Sequence, residues 1–376
     1  PGDPATPWAG RSFPRAENQG GLVALPVVAI TSDFGLPWAT FALGTFPPST
    51  IGGRVYPLVQ DGAPSPVRYD SVGGVSSLVL FHTAAAAFHV SDEIDIGAAV
   101  HLVQTNIGVR MVSYQTIGNC SDVTREDPGC DARGEAMTKG WSATGSLAVM
   151  VRPASGVTLG AQFRGPVYMN TSGEAKLSAP TAFAGTKLDD TGVEVAARLP
   201  WTVRTGIRKA FGPDAALDHS SRRTKSPPSE TGDLELDFTY EAWGSAMNPG
   251  PKVMLEQVLQ KRLIKTVQEN YNDTFSVRLG GSMTTDAIAD TPVTFRGGFY
   301  YDKSATEERF TRLDNDTLDK VAGTIGVGVR VGAVKLDVAY ASVFDISRVV
   351  KEGALRSTDD PNAPVVNSGV FSGHTH

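Results

Sequence analysis

The segment from Gly140 to Pro153, GWSATGSLAVMVRP, decides the fold class because its side chains alternate in character. From Trp141 to Val151 the odd positions are apolar or small, whereas the even positions begin with Ser142 and end with Arg152. This period of two predicts a β-strand with one apolar and one polar face. Such a strand is expected where a sheet separates an apolar phase from water.

The same alternation recurs along the 376-residue chain. We count about twelve such segments, and several are longer than the roughly five or six residues of a typical soluble strand. They lie near residues 20–32, 37–47, 76–90, 93–115, 139–152, 155–170, 191–210, 233–247, 272–285, 291–303, 318–331 and 333–349. The chain is therefore expected to be all-β.

The polar faces of two neighbouring segments carry complementary charges. They are Arg198, Arg204 and Arg208 on the first, and Glu235, Asp237 and Glu241 on the second. Adjacent strands around a shared polar lumen would pair in this way, which favours a transmembrane β-barrel. The residues then expected to face lipid are Trp141, Leu147, Val149, Leu199, Val203, Leu236 and Phe238. The same pattern also fits the solvated face of a soluble sheet.

Connection lengths favour the barrel. Short turns such as RPASG alternate with long links near 47–75, 116–138, 171–190, 248–271 and 304–317. Outer-membrane barrels have this asymmetry between their periplasmic and extracellular ends. The polar link 212–233 is the exception, because it is long where a short turn is expected.

Composition excludes other classes of protein. The net charge of −6 gives no basis for binding nucleic acid. The sequence contains no run of about 18 apolar residues, so it predicts no transmembrane helix. The chain opens directly on PGDPATPWAG, so we expect a processed or trimmed form.

At the level of motifs, the sequence resembles the FadL/TodX long-chain fatty acid transporters of the bacterial outer membrane. The most specific stretches are LPWTVRTGIR at 199–208, YEAW at 240–243 and RLDNDTLDK at 312–320. The resemblance runs from about residue 20 to about residue 350. It implies an antiparallel barrel of 14 strands, of which about 12 are visible here, and passive uptake of hydrophobic molecules.

The resemblance also implies features that this sequence does not display. Family members begin with a plug-like hatch and close the barrel with a last strand. Here PGDPATPWAG reads as an external loop, and the sequence ends where the last strand is expected to begin. We therefore interpret 1–376 as one barrel domain, recorded without its hatch and last strand. A true 12-stranded barrel is the alternative.

Two external links offer apolar side chains for ligand capture. The link 171–190 contains Leu177 and Phe183. The stretch VMLEQVLQKRLIKTVQE, 253–269, places Leu259 and Leu263 at helical spacing. This predicts an amphipathic helix, which either captures ligand over the barrel mouth or packs on its neighbours.

A carboxylate ligand would require a cation at the end of an apolar slot. The segment 93–115 changes the parity of its apolar residues between Leu102 and Ile107, which suggests a bulge. Arg110 lies just beyond, close to where the resemblance places a ligand-contacting arginine, and Lys265 is a second candidate. An ordinary ion pair is the alternative role for Arg110.

Cys120 and Cys130, the only two cysteines, lie within one expected external loop. In an oxidising compartment they are expected to form a disulfide.

No catalytic constellation, metal-ligand spacing or cofactor motif is present in the sequence, so we expect neither an enzyme nor a cofactor. The expected partners are a hydrophobic small molecule, such as a fatty acid or hydrocarbon, and the lipid and lipopolysaccharide of the outer membrane. A structural or adhesive barrel, whose loops bind a protein or surface, is the alternative function. The sequence does not indicate an oligomeric state.

Overall fold

The computed structural model describes residues 15–21, 25–48, 54–60, 63–65, 67–69, 77–121, 127–183, 185, 188–212, 231–258, 261–288, 291–313, 318–332, 334–356 and 365–375. Its regular structure is almost entirely β, with one short helix, α1 (Trp243–Ala246), and single turns of 3-10 helix. Within these ranges no helix has the length and apolar character needed to cross a membrane.

Nineteen strands are described. They are β1 (Val28–Ser32), β2 (Ala39–Phe46), β3 (Val59–Gln60), β4 (Ala63–Pro64), β5 (Leu78–His89), β6 (Ile94–Tyr114), β7 (Asp131–Ala154), β8 (Val157–Arg164), β9 (Val167–Ser178), β10 (Thr191–Leu199), β11 (Thr202–Phe211), β12 (Gly232–Glu241), β13 (Lys252–Val258), β14 (Lys261–Thr266), β15 (Thr274–Ile288), β16 (Thr291–Asp302), β17 (Lys320–Val331), β18 (Val334–Val350) and β19 (Gly369–Thr375).

Antiparallel pairing joins seventeen of these strands into one sheet. The wall runs in the order β1, β2, β5, β6, β7, β8, β11, β12, β15, β16, β17, β18 and β19. Each of the twelve predicted segments therefore contains a strand of this wall, although 155–170 and 191–210 are each divided between two strands, and β19 adds one more. Among the described residues no pairing joins β1 to β19, so the sheet is not closed.

A branch of the sheet extends one end of the wall. The first part of β7 pairs with β9, and the branch continues through β10 and β13 to β14. The long connections lie at this end, whereas tight turns such as Ser155–Gly156 lie at the other. By the asymmetry of outer-membrane barrels, the branch marks the extracellular end.

The outer face carries an exposed apolar band below a row of aromatic rings. Trp201 contacts Phe163 and Tyr240 at ring-centroid distances of 6.1 and 5.3 Å, and Trp141 contacts the ring of His82 at 5.6 Å. From Trp141 to Val151 the strand rises about 33 Å, or about 25 Å along the membrane normal at a tilt of about 40°. These dimensions match the lipid-facing band of a transmembrane barrel.

Most of the predicted faces agree with this arrangement. Leu147 is 65% exposed and Leu236 is 47% exposed, both on the outer face, while Glu235 and Asp237 line an interior concavity. Arg208 lies opposite Glu235 and forms an ion pair with Asp233 at 2.8 Å. An ion pair therefore does join the two predicted strands, but the partner of Arg208 is Asp233 and not one of the three predicted acidic residues.

Two predicted orientations are wrong. Leu199 is buried on the inner face, and Arg198 lies on the outer face with its guanidinium 4.6 Å from the Tyr168 ring centroid. The cause is an interruption of the strand at Pro200 and Trp201, which separates β10 from β11. Proline cannot donate to a ladder, and the parity of inward residues changes across it.

The orientation of the faces is testable by thiol labelling. Cysteine at Leu147 or Leu236 should not react with a water-soluble maleimide in outer membranes, because lipid covers that face. Cysteine at Glu235 is the matched control and should react, because position 235 lines an aqueous interior. Rapid labelling of both lipid-facing positions would reject the membrane-spanning arrangement.

Candidate functional site

The inner face of β10 is an unbroken apolar strip. Val193, Val195, Ala197 and Leu199 follow one another with the period of two, and all four pack in buried clusters. Val193 and Val195 join a cluster at the extracellular level, whereas Ala197 and Leu199 join a second cluster nearer the membrane. We call these two clusters together the inner apolar strip.

Side chains from other strands complete the strip. At the extracellular level these are Ile107, Ala136, Ala175, Leu177, Val253 and Leu255. At the lower level they are Phe46, Val79, Phe81, Val103, Val167, Met169 and Trp243. Phe81, Val103 and Val167 are each 0% exposed, so the lower part of the strip is packed shut.

Small residues on β7 and β9 allow the strip to form across these two strands. A Cβ added at Gly140 would collide with the backbone of Asn170, and one added at Gly173 would collide with the backbone of Met137. Thr138 also faces inward and bonds the Thr171 hydroxyl at 2.7 Å. Because these residues occupy little space, apolar side chains from β6 and β9 lie close to one another.

The strip ends at a polar layer on the membrane side. His101 is 5% exposed, and its ring nitrogens bond the Thr83 hydroxyl at 2.7 Å and the Ser146 hydroxyl at 3.0 Å. The Arg164 guanidinium lies 5.4 Å from the Phe81 ring centroid. The lower boundary of the strip is therefore cationic and rich in hydroxyl groups.

The opposite wall is polar. Strands β12, β15, β16, β17 and β18 enclose an open concavity of about 650 Å³, lined by Asp233, Glu235, Asp237, Arg278, Arg296, Lys335 and Asp337 together with several glycines. Arg296 is paired with Asp337 at 2.8 Å. The interior thus has an apolar side and an aqueous side.

Extracellular loops pack into a cap on the outer face of β6, across the wall from the inner apolar strip. Cys120 and Cys130 form a disulfide with a Cα–Cα distance of 5.6 Å, as predicted. Tyr114, Tyr69 and Phe183 pack against the disulfide-bonded cysteines in one cluster. Phe183, expected in an exposed capture loop, therefore lies half-buried within the cap.

Reduction of this disulfide should loosen the cap and leave the wall unchanged. Closing the loop between residues 120 and 130 is expected to contribute about 2–3 kcal/mol. The variant Cys120→Ser/Cys130→Ser should be cleaved faster by protease within 115–130 while keeping the heat-modifiable gel mobility of a folded barrel. Unchanged protection of this loop would contradict the prediction, and intact mass without reductant checks the bond itself.

The predicted capture helix is absent, and its segment folds as a hairpin. Residues Lys252–Val258 and Lys261–Thr266 pair as β13 and β14. The helical spacing gave a wrong prediction because β10 has an open edge with which β13 pairs. In that pairing Val193 lies opposite Leu255 and Val195 lies opposite Val253. Pairing with that edge overrides the local pattern.

The predicted ligand residues are distributed over this region. Leu177 packs in the extracellular part of the strip, and it belongs to β9, since the expected loop 171–190 begins only after Ser178. Lys265 lies opposite Val253 of the same cluster, and Leu263 is 48% exposed on β14. Leu259 lies outside the described residues.

Arg110 lies on the other side of the wall. In the strand register it lies opposite Glu135, on the outer face of β7. Its Nη2 donates to the Tyr56 carbonyl oxygen at 3.3 Å. The predicted bulge in β6 is wrong, because β6 and β7 pair in continuous register. The parity change instead occurs because Leu58 and Tyr69 cover the outer face of β6 above the membrane, where Val112 and Tyr114 are buried. A ligand contact of Arg110 stays a prediction.

Sequence reasoning did not single out Phe81, Val103 or Arg164 as site residues, and it placed Leu199 on the lipid-facing side. The available signals were Gly165–Pro166 and Pro200, which interrupt two segments treated as continuous strands. Placing a break at each would have moved Val167 and Leu199 to the inner face.

A membrane-spanning β-wall with the inner apolar strip on its interior is typical of an outer-membrane channel. The chain belongs to the family of outer membrane transport proteins described as OMPP1/FadL/TodX, which matches residues 70–371. Proteins of this family and the solved structures below are transport channels of the bacterial outer membrane and not enzymes.

Solved structures of this fold resemble the chain at low identity. A Pseudomonas aeruginosa FadL homologue is 16% identical with a TM-score of 0.67, covering 99% of this chain and 80% of that one. The Pseudomonas putida toluene transporter TodX is 14% identical with a TM-score of 0.62, covering 89% and 80%. The CymD monoaromatic hydrocarbon channel is 15% identical with a TM-score of 0.62, covering 86% and 78%. No curated protein matches the sequence significantly.

Proposed function

We propose that this channel takes up hydrophobic small molecules by capturing them at its extracellular end and passing them along the inner apolar strip. The observation that carries the proposal is the continuity of Val193, Val195, Ala197 and Leu199 from the extracellular branch to the level of the aromatic rings. Burial of apolar ligand surface along this route supplies about 25 cal/mol per Å² without any energy source.

The hairpin of β13 and β14 is the proposed capture element. Val253 and Leu255 pack into the strip, whereas Leu263 and Ile264 are 48% and 57% exposed. Exposed apolar side chains beside an apolar route are suited to the first contact with a ligand. Release proceeds through the barrel or through its wall.

The proposed ligands are long-chain fatty acids or hydrocarbons. Two channels of similar fold are described as a monoaromatic hydrocarbon channel and a toluene transporter, and an apolar strip accepts either chemistry. The lipid and lipopolysaccharide of the outer membrane are the proposed surroundings of the wall. A scaffold would not require a strip that reaches from the extracellular end to the membrane level.

Uptake into proteoliposomes tests the function. Vesicles containing the full chain should accumulate radiolabelled toluene or palmitate faster than vesicles without protein. If neither ligand enters faster with the protein than without it, the channel is rejected and the structural or adhesive alternative is favoured.

Removal of the hairpin should impair capture. Val267 N–H donates to the Pro251 carbonyl oxygen at 2.9 Å, so a short Gly-Ser linker can replace Lys252–Thr266 without moving the flanking chain. Uptake should fall several-fold at low ligand concentration and recover at saturation, because capture and not passage is affected. An unchanged concentration dependence would exclude the hairpin from capture.

A further inference from the structure

Cationic side chains lie on the outer face of the wall, on the extracellular side of the aromatic rings. On β7, which descends from the extracellular end, Lys139 precedes Trp141 by two residues, and both side chains are exposed on the outer face. The neighbouring Thr138 is 1% exposed and faces inward. Aromatic rings mark the boundary of the hydrocarbon layer in outer-membrane barrels. Lys139 therefore lies just above this boundary.

Arg198 occupies a similar level on β10. Its guanidinium lies 4.6 Å from the centroid of the Tyr168 ring, which is 57% exposed on the outer face, and Trp201 follows three residues later. Its Nη1 donates to the Ser245 carbonyl oxygen at 3.4 Å, and its Nε has no hydrogen-bond partner among the described residues. A guanidinium carries five N–H donors, so most of those of Arg198 are available to an acceptor that the protein does not supply.

Two lysines extend this line of positive charge along the wall. Lys252 begins β13, the neighbour of β10, and faces outward because the next residue, Val253, packs into the inner apolar strip. Lys303 follows β16, and its Nζ lies 5.7 Å from the centroid of the Phe275 ring. Both lysines are exposed. We define the outer cation row as Lys139, Arg198, Lys252 and Lys303.

The protein does not neutralise the outer cation row. Within the part of the chain that the structure describes, none of its members forms an ion pair. Two carboxylates on the same face are engaged elsewhere. Asp273 accepts the Gly244 N–H at 2.9 Å and the Tyr240 hydroxyl, and Glu194 lies 3.9 Å from Arg262. Unpaired positive charge at the surface of a membrane attracts anionic lipid headgroups.

We propose that the outer cation row binds the phosphate groups of lipid A, the glycolipid anchor of lipopolysaccharide in the outer leaflet. The register places Lys139 and Arg198 two strands and four residues apart, or about 16 Å between their Cα atoms. This separation suits a wide disaccharide headgroup with a phosphate at each end better than the single phosphate of a phospholipid. A guanidinium binds phosphate in a bidentate manner, and an ammonium binds it as a point charge.

The exposed apolar band below the row completes the site. Leu147 and Val149 lie further down the outer face of β7 and are 65% and 39% exposed, so the acyl chains of the same lipid lie against them. The inference goes beyond the proposed function, because it concerns the outer face and is independent of the ligand that passes inside.

Lipid A with and without its phosphates tests the site. The purified full chain in neutral detergent is titrated with each lipid, and binding is measured by native mass spectrometry. Lys139→Gln/Arg198→Gln should weaken lipid A binding roughly ten- to thirtyfold, because each cation at an anionic membrane surface contributes about a factor of five. Binding of the dephosphorylated lipid should change less than twofold.

Arg133→Gln/Lys176→Gln is the matched control. It also removes one arginine and one lysine from the outer face, on β7 and β9, but at exposed positions farther from the aromatic rings. This variant should bind lipid A as the wild type does. Heat-modifiable gel mobility of each variant reports folding independently of binding.

Three results would overturn the inference. They are unchanged lipid A binding in Lys139→Gln/Arg198→Gln, an equal loss in the control variant, and wild-type binding of phosphatidylglycerol as tight as that of lipid A. The last result would reassign the row to anionic phospholipids in general. Uptake of toluene and palmitate is measured separately, so a failure of the proposed function is distinguishable from a failure of this site.

Discussion

Replacement of Asp131 by alanine is expected to destabilise the attachment of residues 54–69 to the wall by about 3–5 kcal/mol. Asp131 begins β7, and its Oδ2 accepts the Arg68 Nε–H at 2.8 Å while its Oδ1 accepts the Tyr69 hydroxyl at 2.5 Å. The two charged side chains are 4% and 1% exposed. Removal of the carboxylate takes the Asp131 charge away from the buried guanidinium of Arg68, which is the costly way to break a buried ion pair.

The double variant Arg68→Met/Asp131→Leu provides the sharp contrast. It removes both charges together, and apolar replacement of a whole buried pair is often neutral or stabilising. Amide exchange or limited proteolysis of 54–69 should therefore show strong opening in Asp131→Ala and little opening in the double variant. Equal opening in both would mean that contacts other than the ion pair hold this segment.

The sheet was predictable because lipid and water sort side chains locally. The alternation of Leu147 and Leu236 with their immediate neighbours is enough to assign each to the outer face, and no long-range contact is needed. The disulfide of Cys120 and Cys130 was predictable for a similar reason, since only one pairing exists. Wherever one strand has a single phase on each side, the period of two is sufficient.

The extracellular end was less predictable because its surroundings are made by other segments. The segment with helical spacing begins with β13, which pairs with the edge of β10. That edge is formed by a distant part of the chain, so the local sequence gives no sign of it. Arg110 was expected inside, but it lies on the outer face of β6, where it contacts Tyr56 and where Leu58 and Tyr69 bury neighbouring side chains. Above the membrane both faces of a strand can be buried by protein.

The strand breaks at Gly165–Pro166 and Pro200 explain both the wrongly predicted orientations and the arrangement of the interior. Each break exchanges the face that points inward, so apolar residues line the interior above the breaks and charged residues line it below. The apolar strip and the cation at Arg164 therefore meet at the same level.

Substitution of Val193 by aspartate is expected to lower uptake of both toluene and palmitate at least tenfold. Val193 is 1% exposed in the extracellular part of the inner apolar strip, packed with Val195 and Ala175. An unpaired carboxylate there must either remain hydrated, which holds the strip open to water, or be desolvated at a cost of several kcal/mol. In both cases an apolar ligand loses the burial that draws it into the channel.

The adjacent residue supplies the matched control, because Glu194 lies on the opposite face of β10 and its side chain is 48% exposed. Glu194→Ala should leave uptake of both ligands unchanged, since it alters the charge of the same strand without altering the strip. Val193→Leu should retain most activity, because it keeps the strip apolar at slightly larger volume. If Val193→Asp folds with normal gel mobility and still transports both ligands at the wild-type rate, the ligand does not travel along β10, and the polar wall around Arg296 becomes the route to examine.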